Sequence, residues 1–194
     1  MARPTGVFFD YSKNLSGNLS TPTPLKVIVG NSATLIIGDS MRVNTSGFAV
    51  CSAAGDAVLG ILVGLIDNDG IPVLGFGYTG DTGHTKTDDM TVVTSATNQT
   101  RARKVYAEIL VGLPDILFYN DASANLAQTN LFQFFDHDAD ANQIDQATAS
   151  DTSGQFQLIQ LDPDNDGDLS KGLFRVAEPQ LMYYHGNSTA VNEA

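Results

Sequence analysis

Short apolar runs alternate with clusters of turn-forming residues between residues 34 and 67. Residues 34–37, 41–43 and 48–52 are three such runs, and each is followed by a turn rich in Gly, Asp, Asn or Ser. A fourth run, residues 57–66, is longer and contains two glycines. Runs of this length and spacing are typical of antiparallel strands joined by hairpins, and none has the period of an amphipathic helix. The segment therefore predicts a mainly β fold, a small antiparallel β-barrel or sandwich.

The same pattern continues over most of the chain. Further strands are predicted at residues 25–29, 71–74, 90–93, 103–111, 116–119, 131–135, 155–161, 173–176 and 180–184. A turn or one short helix is predicted at residues 121–129. We expect one β-domain over residues 25–185, with a long polar loop at residues 75–99 and a flexible tail at residues 186–194.

The first 24 residues differ from the rest because they are polar and contain three prolines. They predict an extended N-terminal arm. The arm carries one apolar cluster, formed by Val7, Phe8, Phe9 and Tyr11. Exposed aromatic side chains promote association, so the arm either folds back on its own domain or docks on a neighbouring subunit. We prefer the second interpretation, which makes these four residues candidate partner-binding residues.

The charge distribution narrows the set of partners. The formal net charge is −12, and residues 105–170 contain eleven Asp but no Lys or Arg. Broad affinity for nucleic acid is not expected, because phosphate binding requires Lys and Arg. The longest apolar run is shorter than the roughly 20 residues of a membrane helix, and no signal peptide is recognised at the start. The acidic half is either a solvated surface or the complement of a basic partner surface.

An Asp-rich segment near the C-terminus is the sharpest metal-binding candidate. Its spacing matches the first half of a calcium loop, with Gly at the sixth position. Leu173 occupies the twelfth position, where such a loop needs a bidentate Glu. Calcium binding and a plain Asp-rich hairpin turn therefore both stay open as interpretations. The candidate ligands are Asp162, Asp164, Asp166 and Asp168.

Candidate catalytic groups are few. Cys51, the single cysteine, lies in a predicted strand, which favours a buried and inert thiol. His137 stands between Asp136 and Asp138, a pattern more typical of a polar loop than of a metal site. The chain has no Gly-x-Ser-x-Gly nucleophile motif. The sequence therefore predicts a protein that is not an enzyme and needs no cofactor, apart from the calcium candidate.

The order of turns and strands carries a resemblance to a known family. The first half of this chain contains Ile37-Gly38-Asp39, then Gly47-Phe48-Ala49-Val50, then Ala54-Gly55-Asp56 followed by an apolar run with Gly60. The second half of the chain contains an aromatic strand at residues 114–118, a polar stretch at 152–155, Leu161-Asp162 and a closing strand at 173–176. From about residue 25 to residue 184, this order resembles the capsid decoration (cement) proteins of tailed bacteriophages and related head proteins.

The resemblance implies a structural function. A protein of this kind binds across neighbouring major capsid subunits, self-associates as a homo-oligomer such as a trimer, is made in the host cytoplasm and resides on the capsid surface of the virion. Two alternatives stay open. One is a calcium-dependent binding or adhesion module centred on residues 162–168, and the other is a tail, collar or head-fibre component.

Overall fold

A computed structural model describes residues 9–15, 22–29, 33–66, 70, 72, 90–92, 105–139, 141–162 and 170–177. Within these residues the fold is mainly β, as predicted, and contains no α-helix. The strands are β1 (Asp10–Asn14), β2 (Leu25–Ile28), β3 (Ala33–Leu35), β4 (Ser40–Val43), β5 (Ala49–Cys51), β6 (Gly60–Ile66), β7 (Met90–Val92), β8 (Tyr106–Val111), β9 (Ile116–Asp121), β10 (Phe134–Phe135), β11 (Phe156–Leu161) and β12 (Lys171–Val176).

The strands form two antiparallel five-stranded sheets. The first sheet has the order β1-β9-β12-β11-β10, and the second sheet has the order β2-β8-β6-β4-β5. A separate two-stranded pair joins β3 to β7. One isolated bridge between Val29 and Ala49 brings the two edges of the second sheet together at a single point. The sheet is nevertheless not closed into a barrel, so the sandwich alternative of the prediction is the correct one.

Two hydrophobic cores lie on opposite faces of the β6–β8 pair. Ile61 and Leu110 belong to the first core, which also contains four phenylalanines of the first sheet: Phe118, Phe135, Phe156 and Phe174. Leu62 and Ile109 belong to the second core, which is enclosed by the second sheet and β3. Successive side chains of a strand point to opposite faces, so a strand buried on both faces must be apolar at nearly every position. The continuous apolar run of β6 meets this requirement.

Strand β1 is part of the first sheet. It pairs with β9, with Tyr11 opposite Phe118. Phe9, which precedes the strand, packs in the first core, where its ring stacks on that of Phe156 with 4.5 Å between centroids. Residues 10–14, which we expected within an extended arm, are therefore an edge strand of the domain. Burial of the Phe9 ring in the first core is the physical reason that this segment stays on its own domain.

The structure tests several of the strands and turns predicted from the sequence. The strand predicted at residues 90–93 is present as β7, inside the predicted long loop. The predicted short helix is a single 3-10 turn at Gln128–Asn130, and a second such turn lies at Gln146–Thr148. Of the strand predicted at 131–135, only Phe134–Phe135 forms. The rest of the 75–99 loop, the strand predicted at 180–184 and the tail at 186–194 lie outside the described residues, as does all but Pro72 of the strand predicted at 71–74. No helix in the described part is long and apolar enough to span a membrane.

Gly60 permits the close pairing of β6 and β8. It lies opposite Val111 in the register, and a Cβ atom added at Gly60 would stand 2.1 Å from the carbonyl oxygen of Leu110. Backbone cannot move aside as a flexible side chain can. A side chain at this position would therefore push apart the two strands that separate the cores.

We predict that Gly60→Ala lowers the free energy of unfolding by about 3 kcal/mol or more, because it forces overpacking against backbone. Gly47→Ala is the matched control. Gly47 has φ +82° and no atom near its added Cβ, so the control carries only the left-handed penalty of about 1 kcal/mol. Urea denaturation of both variants measures the difference, and equal costs would contradict the close approach at Gly60.

Candidate functional site

Two of the four residues in the apolar cluster predicted as a partner site are described by the structure, and they differ in burial. Phe9 is only 2% exposed in the chain's own first core, which supports, for this residue, the alternative that the arm folds back on its own domain. Tyr11 is half-buried against the same core. Val7 and Phe8 lie outside the described residues. Partner binding by Tyr11, Val7 and Phe8 stays a prediction.

The calcium candidate is described at its first position only. The carboxylate of Asp162 accepts a hydrogen bond from the Tyr119 hydroxyl at 2.9 Å. Asp164, Asp166 and Asp168 lie outside the described residues. Among the residues that the structure does describe, no group of three or more His, Cys, Asp or Glu side chains is arranged to hold a metal ion. Calcium binding by the Asp162–Asp168 segment stays a prediction.

The two Gly-Asp turns of the first half share one geometry. In the first, the Asp39 N–H donates to the Ile36 carbonyl at 3.0 Å, while Asp39 Oδ2 accepts from the Ile36 N–H at 2.6 Å. In the second, Asp56 and Ala53 exchange the same two bonds at 3.0 and 2.8 Å. The glycines before the two aspartates have φ values of +96° and +80°, which glycine adopts without steric cost. Each turn is thus closed twice, by backbone and by carboxylate.

The Asp39 turn is buried and hydrogen-bonds to two other segments of the chain. Asp39 is 3% exposed. Gly38 donates its N–H to the Leu62 carbonyl at 2.8 Å and accepts the Phe9 N–H on its own carbonyl at 3.2 Å. The Leu62 N–H returns to the Asp39 carbonyl at 2.9 Å. This turn therefore links the segment leading into the first sheet to strand β6 of the second.

Cys51 lies beside the same carboxylate. Its thiol donates to Asp39 Oδ2 at 3.4 Å. Burial raises the pKa of the Cys51 thiol well above its usual range, and the negative charge of Asp39 raises it further. Because the thiolate is the reactive form of cysteine, this environment suits an inert thiol.

Four buried polar side chains form a second connection, which we call the polar junction: Ser40, Ser52, His137 and Gln155. Ser52 Oγ contacts Ser40 Oγ and lies 2.9 Å from His137 Nε2. Gln155 Oε1 accepts the His137 N–H at 3.2 Å. The Gln155 amide also donates to the carbonyls of Ala53 and Asp56, at 2.8 and 2.7 Å. The junction therefore holds the Ala53–Asp56 turn of the second sheet against the start of β11 in the first.

The Ser52–His137 contact has the distance of a nucleophile and its general base. His137 Nδ1 lies 2.5 Å from the carbonyl oxygen of Asp138, which can only accept, so Nδ1 carries a proton. In the neutral ring, Nε2 is then an acceptor that faces the Ser52 hydroxyl, which also lies within hydrogen-bond distance of the Ser40 carbonyl, at 3.1 Å. However, Ser52 is 4% exposed and His137 is 1% exposed, whereas a reacting atom must approach to about 3 Å. The geometry therefore supports an internal cross-link better than a catalytic pair.

Sequence reasoning did not find the polar junction. Ser52 and His137 are 85 residues apart, and each alone carries an ordinary pattern. Ser52 ends an apolar run, and His137 lies in an acidic loop. The only related signal was the pair of Gly-Asp motifs, which the sequence did single out and which the structure places beside the junction.

Comparison with known proteins adds no relative to this description. No protein-family model, no curated protein and no solved structure matched the chain significantly. What the fold defines is a mainly β sandwich protein.

We predict that Gln155→Glu destabilises the fold by about 3 kcal/mol at pH 7, because a buried carboxylate replaces an amide that donates to two carbonyls. Gln157→Glu is the matched control. The Gln157 side chain is also buried, but Arg175 Nε lies 2.9 Å from its oxygen, so the new charge is compensated and the cost is about 1 kcal/mol. Thermal and urea unfolding compare the two variants, and a larger cost for Gln157→Glu would disprove the cross-link.

We predict that Cys51 makes stability fall at alkaline pH. The folded thiol stays protonated because its pKa is raised, whereas the unfolded thiol ionises above about pH 8.5. The unfolded state then binds fewer protons, so unfolding becomes easier as pH rises. Relative to Cys51→Ala, the wild-type chain should lose about 1 kcal/mol between pH 7.5 and pH 9.5. A parallel pH dependence of both proteins in urea unfolding would show that the thiol is not shielded.

Proposed function

We propose that this chain is a virion structural protein that decorates and stabilises a bacteriophage capsid by binding across neighbouring major capsid subunits. The observation that carries the proposal is the doubly closed geometry of the two Gly-Asp turns. These turns are part of the sequence pattern that resembles decoration proteins. The Asp39 turn is buried, and the carbonyls of the more exposed Ala53–Asp56 turn accept two hydrogen bonds from Gln155. The pattern therefore corresponds to structural anchor points of the sandwich.

The mechanical demands on a cement protein support the same proposal. Such a protein must keep its shape while the shell beneath it is under strain. Here the sheets are joined by apolar packing and also by directional hydrogen bonds, through the Asp39 turn and the polar junction. Hydrogen bonds between buried groups rigidify a core, because in a low-dielectric interior they are costly to break. A sandwich whose sheets are held in this way would keep its shape when force acts between its contacts with neighbouring capsid subunits.

The surface charge supports attachment to a different protein. The chain carries a net charge of −12, which keeps the particles dispersed and attracts a basic partner face. Several weak contacts on one rigid body gain from multivalency, and so would a homo-oligomer such as a trimer on the shell. On this proposal the protein is made in the host cytoplasm and resides on the outer capsid surface, without direct contact to nucleic acid or membrane.

We predict that the purified protein binds assembled shells that lack it. In co-sedimentation, the bound amount should rise with concentration and saturate at a fixed number of copies per shell, and decorated shells should rupture at a higher temperature. Heat-unfolded protein is the control, because binding requires the folded sandwich. The absence of saturable binding to such shells would contradict the proposal.

The same experiment separates the two alternatives. Each arm is run with EDTA and with calcium chloride, alongside thermal unfolding of the free protein. A large calcium-dependent rise in melting temperature, with binding only in calcium, would favour the adhesion module centred on Asp162–Asp168. Imaging of complete particles would identify a tail, collar or head-fibre component by its position.

A further inference from the structure

Phe132 combines two unfavourable properties. Its side chain is 63% exposed, more than any other large apolar side chain in the described part of the chain. Its backbone has φ +67°, in the left-handed region that normally holds Gly or Asn. An ordinary surface position under selection for stability alone would carry neither an exposed aromatic ring nor this conformation with a bulky side chain.

Hydrogen bonds from the neighbouring strand fix this conformation. The Phe132 N–H donates to the Leu158 carbonyl at 2.8 Å, and the Phe132 carbonyl accepts from Gln157 Nε2 at 2.7 Å. Gln157 is itself buried, and its Oε1 is held by Arg175. The backbone under the ring is therefore clamped on both sides. A preorganised aromatic anchor loses little entropy when a partner binds it.

Charge indicates the kind of partner. Phe132 lies within residues 105–170, which contain eleven Asp and no Lys or Arg. Asp151 is hydrogen-bonded to Gln133, the next residue after Phe132, at 2.8 Å. Arg175 is the nearby basic group, and it is occupied with Gln157. The same Asp-rich surface of a second copy would be repelled at this position, whereas a basic protein surface would be attracted.

We propose that Phe132 is a docking anchor that inserts into an apolar pocket bordered by Lys or Arg on a partner protein. Strained backbone conformations persist where the surrounding structure over-determines them, and they concentrate at functional positions. Aromatic anchors in desolvated pockets supply much of the affinity of protein interfaces. If the partner is the capsid subunit, that identification rests on the function proposed above.

The test uses variants that relieve the strain while removing the ring. Phe132→Asn and Phe132→Gly both suit a left-handed backbone, so the melting temperature should stay equal or rise. Their affinity for shells lacking the protein should fall at least tenfold. Leu113→Asn is the matched control, because Leu113 is also an exposed apolar residue, at 42%, and its affinity should change less than twofold. Binding of the wild-type chain should weaken between 50 and 300 mM sodium chloride.

The outcomes separate the anchor from the proposed function. If the wild-type chain binds shells and Phe132→Asn binds equally well, the anchor is overturned while the function stands. If the wild-type chain does not bind, both are overturned. A fall in melting temperature in both variants would show that Phe132 serves the fold. Salt-independent binding, or self-association that is lost in Phe132→Asn, would overturn the basic partner.

Discussion

The pairing of β6 with β8 is the constraint on which the rest of the structure depends. These two strands separate the cores, and each contributes side chains to both faces. The core-facing positions of the pair must therefore be apolar, and the strands must approach closely at Gly60, where β8 backbone occupies the space of a side chain. A displacement of either strand would expose apolar surface on both faces at once, because both cores close against the same pair.

Apolar packing is not directional, so the relative orientation of the sheets needs another determinant. The buried polar groups supply it. The Asp39 turn and the polar junction both connect elements that are distant in sequence, and their donors face acceptors within the protein. A buried donor without an acceptor costs about 1–3 kcal/mol, so alternative arrangements of the two sheets that break these bonds are disfavoured. Hydrogen bonding here selects one arrangement among several that would bury similar apolar area.

The structural features that could be predicted from the sequence are those that depend on residues close together in the chain. Short apolar runs and glycine-bearing turns identified most strands, including β7 within the predicted long loop, because period and turn chemistry are local properties. Partner choice between strands is not local. The pairing of β1 with β9 joins residues 10–14 to residues 116–119, and for that reason the sequence left open whether Phe9 packs on its own domain or docks on a neighbour. The Ser52–His137 contact and the left-handed backbone at Phe132 are set by the folded surroundings and have no sequence signature.

Two non-glycine residues in the described part have positive φ, and they differ in what the fold gains from them. At Ala141, φ is +59°, the methyl group is buried, and the carbonyl accepts the Ser40 N–H at 2.7 Å. The local strain there is offset by packing and by a link into the polar junction. At Phe132 the backbone is equally well held, but the ring contributes little burial to the fold. The unfavourable conformation at Ala141 is accounted for by the interior, whereas the one at Phe132 presents an aromatic ring to solvent without a comparable gain in packing, and that difference is why we propose Phe132 as a docking anchor.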